Sequence, residues 1–185
     1  YEDQSVKHMI NGGKIKKAQE LAYAKKAFQW MEQNFFADRA YMKIKEKPIL
    51  LIFGPQHFKK DQWAHILSGL SNKPQLFTLP HLKDQINDAG TFGWPPVHGG
   101  KNISPKVWQQ YLQSLYTKDE QNESTIASVF PQFHDIYQQA GVHKSYGYLG
   151  SQKGKTFDQT LEVALKSNSE LIQIATWNDY GEGTM

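Results

Sequence analysis

The sequence contains no cysteine, which excludes disulfides and thiolate metal sites but leaves the compartment open. It has a single arginine, Arg39, against 20 lysines and 18 acidic residues, for a formal charge of +3. The lysines are scattered over helical surfaces and form no basic stripe, so nucleic acid is not an expected partner. No apolar run approaches the ~18 residues of a membrane-spanning helix. The longest, Ile49-Leu50-Leu51-Ile52-Phe53, has the length of a buried strand. An initiator Met is missing too: the chain opens on Tyr1 and stops at Met185, so both ends read as cut and a signal peptide would lie upstream. What remains is 185 residues, 39% hydrophobic, the length and composition of one globular domain, expected as a single partial domain over residues 1–185.

Apolar residues recur at three- and four-residue steps from Ile15 to Phe35, predicting a long amphipathic helix entered after Gly12-Gly13. Residues 49–53, closed by Gly54-Pro55, suit a parallel strand buried on both faces. A shorter helix begins near Asp61 with Trp63, Ile66, Leu67 and Leu70 on one side. Residues 75–79 and 90–94 read as strands, the second stopped by Pro95-Pro96. Ser104-Pro105 sets a helix start ahead of Val107, Trp108, Tyr111, Leu112 and Leu115. A strand over 124–130 ends at Pro131, and a Gly-, Lys- and Ser-rich loop spans 141–155. Thr156-x-x-Gln159 predicts a capping box for the next helix. Residues 171–177 form the last strand.

Helices alternating with apolar strands are the pattern of βα units on a parallel sheet. A full (β/α)8 TIM barrel takes typically ~250 residues. Four or five strands therefore point to an α/β fold in which this chain supplies roughly the second half of such a barrel, with Tyr1-Glu2-Asp3 ending a fourth strand. A self-contained open α/β domain is the competing architecture.

In parallel α/β folds, chemistry gathers at the C-terminal ends of strands. Here those ends read Tyr1-Glu2-Asp3-Gln4, Gly54-Pro55-Gln56-His57, Gly93-Trp94-Pro95-Pro96, Pro131-Gln132-Phe133-His134-Asp135 and Trp177-Asn178-Asp179-Tyr180-Gly181-Glu182. Most pair aromatic faces with polar groups, as a pyranose requires. Asp179 and Glu182, three residues apart, suit glycosidic cleavage, which needs one carboxylic acid and one carboxylate. Asn178 is placed to bond a hydroxyl or orient a carboxylate, and Trp177 to wall the cleft and raise the pKa of the acid. His57, His81, His98, His134 and His143 fall in no metal-ligand spacing, so no metal and no cofactor are expected.

Thr176-Trp177-Asn178-Asp179-Tyr180-Gly181-Glu182 resembles the signature of the fungal endo-α-1,3-glucanases, glycoside hydrolase family 71. The wider frame running to Gly183-Thr184 also resembles the endo-α-mannosidases and endo-α-1,2-mannanases of family 99. Tyr1-Glu2-Asp3-Gln4 and Phe130-Pro131-Gln132-Phe133-His134-Asp135 are similar to strand ends of bacterial proteins related to both. The resemblance implies a (β/α)8 barrel, endo-acting cleavage of an α-linked glycan and no metal. It places Glu182 on the general acid/base and Asp179 on a base that, in the mannan-cleaving family, is a Glu acting toward the neighbouring sugar hydroxyl. Tyr180 follows the glucanase pattern, whereas Gly183 departs from it.

The expected catalytic residues are thus Asp179 and Glu182. The expected substrate-binding residues are Glu2, Asp3, Trp94, Gln132, His134, Asp135, Trp177, Asn178 and Tyr180. The expected partner is an oligo- or polysaccharide, a substrate class that favours a secreted, periplasmic or cell-surface location. A carbohydrate-binding barrel without catalysis and a metal-dependent hydrolase are the other readings.

Overall fold

The computed structural model describes residues 1–120 and 124–185, with the side chains of residues 118–120 outside that description. The chain divides into two units, Tyr1–Thr91 and Phe92–Met185.

In the first unit, helix α1 (Gln4–Asn11) precedes α2 (Glu20–Met31), strands β1 (Lys43–Ile44) and β2 (Lys47–Ile52), helix α3 (Lys60–Leu67), strand β3 (Gln75–Thr78) and strand β4 (Gly90–Phe92), which runs to the boundary. β1 turns back antiparallel on β2, whereas β2, β3 and β4 are parallel neighbours. The apolar run of β2 buries Ile49 and Ile52, and α2 and α3 contribute Ala24, Phe28, Trp63 and Ile66 to one core. Edge-on packing of Phe28 on Trp63, with ring centres 5.7 Å apart, adds specific geometry to that burial.

The long helix expected over 15–35 is broken into a 3-10 turn at Lys17–Gln19, α2, and a π turn at Glu32–Phe36. A π turn closes i to i+5 and widens the helix by one residue. The inward position therefore passes from Phe35, 46% exposed, to Phe36, 1% exposed. Helix α1 was not expected, because two turns bearing Val6, Met9 and Ile10 are too short to show a clear period.

Tyr1–Asp3 lie along the C-terminal end of β2, with a parallel bridge between Glu2 and Gly54. Asp3 is fully buried and spends its carboxylate locally: Oδ1 accepts from the backbone N–H groups of Gln56 and His57, and Oδ2 from those of His57 and Phe58, all at 3.0 Å. These donors belong to the loop after β2, which Asp3 thereby fixes. Asp3→Ala leaves three backbone donors without their acceptor, that of Phe58 buried, and we expect it to lower the unfolding free energy by about 1–3 kcal/mol in urea titration. Unchanged stability with weakened glycan binding would instead make Asp3 a ligand contact. Nearby, Glu20 accepts from Lys17 at 2.8 Å and contacts His57 at 2.7 Å. Burial acts to raise the Glu20 pKa, but these hydrogen bonds and charges outweigh it and hold the carboxyl below its ordinary value.

The second unit holds strand β5 (Lys101–Asn102), helix α4 (Pro105–Glu120), strands β6 (Ser124–Val129), β7 (Phe133–His134) and β8 (Gly147–Leu149), helix α5 (Lys155–Leu165) and strand β9 (Ile172–Ile174). β6 and β9 pair in parallel, and β5, β8 and β7 form a separate three-stranded sheet. Trp108, Leu112 and Leu115 of α4, Ala127 and Val129 of β6, and Phe130, Phe133 and Leu149 make the core.

Two hydroxyls pin the end of β6 and so fix where the following turn begins. Tyr116 bonds the backbone N–H and carbonyl of Ser128 at 3.1 and 3.2 Å, and Thr160 does the same for Phe130 at 3.3 and 3.1 Å. The expected capping box at Thr156 is not formed. Gly154 in a left-handed conformation precedes α5, which draws Thr156 inside the first turn, where its hydroxyl donates to the Gly150 carbonyl at 2.7 Å. The last strand is shorter than the expected span of 171–177. It is three residues long, and Ile172 and Ile174 are 40% and 55% exposed.

Candidate functional site

The turn after β9 is tied down at both ends. Thr176 and Thr184 bond each other through their hydroxyls, and the Thr176 N–H donates to the Thr184 carbonyl at 3.3 Å. Within the turn, Asp179 Oδ1 accepts the Glu182 N–H at 2.9 Å, and the Asp179 N–H donates to the Thr176 hydroxyl at 3.2 Å. The turn's far side is zipped to the segment after β7: the His134 N–H donates to the Glu182 carbonyl at 2.8 Å and the Ile136 N–H to the Gly181 carbonyl at 3.0 Å. The carboxylate pair is therefore held by backbone bonds from two directions.

Gly183 makes this closure possible. Its φ of 57° is left-handed, and a Cβ there would stand 2.7 Å from the His134 carbonyl oxygen. Gly183→Ala should cost about 1–3 kcal/mol and detach the turn from residues 134–136. Loss of amide-exchange protection at His134 and Ile136 is the measurement, and retained protection would contradict this account of the closure.

Glu182 is the electrostatically distinctive group. Burial raises its pKa above the ordinary carboxyl value, the charge of Asp179 raises it further and that of Asp135 adds a smaller push. The side-chain donors of Trp94 and Tyr137 act in the opposite direction without cancelling the rise. The Tyr137 hydroxyl reaches Glu182 Oε1 at 3.4 Å. Its own pKa is pushed up to about 12 by burial and by the charges of Glu182 and Asp179, so it remains a donor through the neutral range. The Tyr137 ring packs against His143 at 4.5 Å and Tyr146 at 5.6 Å. Asp135 is buried, with Oδ2 accepting from the Tyr146 N–H at 2.7 Å and the Ser145 hydroxyl at 3.1 Å.

Of the residues expected from the sequence, Trp94, Asp135, Asp179 and Glu182 come together here. His134 joins them through its backbone, with its ring on the exposed side. Gln132 is half-buried in the turn between β6 and β7. Trp177, Asn178 and Tyr180 lie on the solvent side, Trp177 89% and Tyr180 72% exposed. Trp177 is therefore not the ring that tunes the acid: with Ala175 buried and Thr176 tied to Thr184, the next side chain is turned outward, and the indole beside Glu182 is that of Trp94. Glu2 and Asp3 belong to the first unit, Glu2 exposed and Asp3 occupied with its own loop.

Tyr137 is a further residue of the site, beyond those expected from the sequence. Nothing in the string Asp135-Ile136-Tyr137 marks it. It reaches Glu182 because the segment folds back on itself, the Ala140 N–H bonding Ile136 and the Val142 N–H bonding Tyr137. Among the described residues, no group of three or more His, Cys, Asp or Glu is placed to hold a metal ion, and no helix is long and apolar enough to cross a membrane.

No protein-family model and no curated protein matches the sequence. Solved structures do. A GH99 endo-α-mannosidase from Bacteroides thetaiotaomicron in complex with bis-tris-propane gives a TM-score of 0.63 at 16% identity, over 89% of this chain and 54% of that one. A second structure of such an enzyme from the same organism gives 0.63 at 17%, over 89% and 52%. A glycoside hydrolase-like protein gives 0.62 at 9%, over 90% and 54%. The chain spans about half the length of the structures it matches. The likeness is one of fold, a mixed α/β chain forming part of a (β/α)8 barrel.

Proposed function

We propose that residues 1–185 are part of a single catalytic domain of an endo-acting glycoside hydrolase that cleaves an α-linked glycan of α-glucan or α-mannan type. The observation that carries this reading is the setting of Glu182, half-buried in a closed turn three residues from Asp179. Burial and the neighbouring Asp179 favour the neutral form of Glu182 beyond the ordinary carboxyl range, whereas Asp179 holds the turn by accepting the Glu182 N–H. Glycosidic cleavage uses two carboxyl groups whose environments push their pKa values apart.

In this mechanism Glu182 gives its proton to the oxygen of the departing sugar as the anomeric C–O bond breaks. Asp179 acts on the opposite partner, as base toward a water or toward the hydroxyl of the sugar being cleaved. Where Asp179 acts on the sugar hydroxyl, the ionised Glu182 takes a proton from the water that completes hydrolysis and Asp179 returns its proton to that oxygen; where Asp179 acts on a water, it keeps that proton and both carboxyl groups are restored by exchange with solvent. Tyr137 and Trp94 donate toward the Glu182 carboxylate formed midway and so lower the cost of releasing the proton. Trp177, Asn178 and Tyr180, open to solvent, offer ring faces and an amide to the glycan. Gln132, His134 and Asp135 complete the proposed binding set within the second unit. The substrate class is supported by the glycoside hydrolases that share the fold.

Release of reducing ends from α-1,3-glucan, α-1,2-mannan and N-glycan substrates tests this function. Cleavage of an internal α-linkage is expected. Glycan affinity with no release would make the protein a binding barrel, and activity abolished by a chelator would make it a metal-dependent hydrolase. Within the mechanism, Tyr137→Phe should lower kcat about tenfold. It should also move the alkaline limb of the pH profile upward, because a donor that favours the ionised form of Glu182 is gone. A profile unmoved in position would remove Tyr137 from the proton transfer.

A further inference from the structure

Beside the carboxylate turn, within the second unit, lies an open cavity of about 580 Å3. Its size falls within the roughly 300–1,000 Å3 typical of small-molecule sites. Its lining includes Asn102, His134, Asp135, Gln138, Gln139 and Tyr148. Asn102, Gln138 and Gln139 are exposed and line it, which places three amide-bearing residues, each with donor and acceptor groups, around one space. Asp135 is 4% exposed, and its Oδ1 has no hydrogen-bond partner among the described residues. An unpartnered polar atom buried to this degree is costly unless a ligand or water completes it.

The cavity also has a built aromatic wall. Tyr148 stands edge-on to His134, with ring centres 5.2 Å apart and planes at 89°. That arrangement depends on Gly147, whose φ of 146° and approach to the Lys101 carbonyl, 2.5 Å from an added Cβ, let β8 lie against β5. The lining has no Lys or Arg and carries the Asp135 carboxylate. Phosphate and other anions are therefore disfavoured. Exposed amides, a buried acceptor and a ring suit a neutral polyhydroxylated ligand.

We propose that this cavity is a second sugar-binding subsite, which holds neutral hexose units of the same glycan away from the bond that is cut. The inference rests on the glycosidase reading above. Two residues that line the cavity also meet the carboxylate turn: the His134 N–H holds the Glu182 carbonyl, and the Asp135 charge is felt by Glu182.

The test is titration of linear α-mannotetraose and α-glucotetraose into the full chain carrying Glu182→Gln, which prevents turnover, followed by amide NMR. One tetrasaccharide should shift the amides of Asn102, Gly147 and Tyr148 together with those of residues 177–184. Adding Tyr148→Ala, or Gln138→Ala with Gln139→Ala, should weaken it about tenfold. These side chains lie outside the core, and the unperturbed amide spectrum of each variant verifies its fold. A glycan that shifts only residues 177–184, with affinity unchanged in both variants, overturns the subsite and leaves the glycosidase reading standing. Absence of any glycan-induced shift overturns both.

Discussion

Glu182→Gln should reduce turnover by about 10^2–10^4-fold, the contribution of a positioned general acid, with KM changing little. The same substitution should raise the melting temperature at neutral pH. The sign follows from the direction of the shift. The folded pKa of Glu182 lies above its ordinary value because burial and Asp179 oppose ionisation. Its contribution to stability is then fully present below the ordinary carboxyl pKa and is lost as pH rises through the folded one. Glutamine keeps the shape and removes the charge, so the gain appears at neutral pH and vanishes near about pH 4. Calorimetry at the two pH values checks the stability, and initial rates check the chemistry. A variant that loses activity without this pH-dependent gain would place the defect in binding geometry instead of the proton.

The second large effect is that of Asp179→Asn. Asparagine retains an Oδ1 acceptor for the Glu182 N–H, so the turn should survive and the circular dichroism should be unchanged. Activity should fall about 10^2–10^3-fold, because the base or nucleophile is gone. In the residual activity, the alkaline limb should move to lower pH, since the charge that helps keep Glu182 protonated has been removed. Moving that limb upward, or leaving it in place, would show that the two groups are not coupled through their charges.

Three strands were readable because they are apolar runs bounded by Gly and Pro: β2 before Gly54-Pro55, β4 before Pro95-Pro96 and β6 before Pro131 each appear close to the expected span. Ser104-Pro105 marked the start of α4 for the same reason, a local signal needing no tertiary partner. Elements of two or three residues, β5, β7 and β8, are not marked in the sequence, β8 falling inside the loop expected over 141–155. Strands this short have no period to read, and their pairing is fixed by Gly147 and by contacts made only on folding. The π turn at Glu32–Phe36 likewise depends on which phenylalanine the core accepts.

The candidate site divides along the same line. Two acids three residues apart, followed by Gly183, are a one-dimensional pattern and were visible as such. The environment that raises the pKa of one of them is three-dimensional. It draws on Trp94, about ninety residues upstream, and on Tyr137, brought in by a folded-back segment, while the adjacent Trp177 stands in solvent. Sequence proximity suggested Trp177 as the tuning ring. Thr176, held by Thr184, turns it away.

The central claim is that Glu182 delivers a proton to a glycosidic oxygen. The direct measurement is the pH dependence of reducing-end release from an α-linked oligosaccharide, compared with that from a substrate whose leaving group departs without protonation. For the natural leaving group, the rate should fall as pH rises through a pKa above the ordinary carboxyl value, and Glu182→Gln should lower it about 10^2–10^4-fold. For the activated substrate, Glu182→Gln should retain much of the activity and lose the alkaline limb. Equal loss on both substrates, or a natural-substrate profile with no such limb, would contradict the assignment.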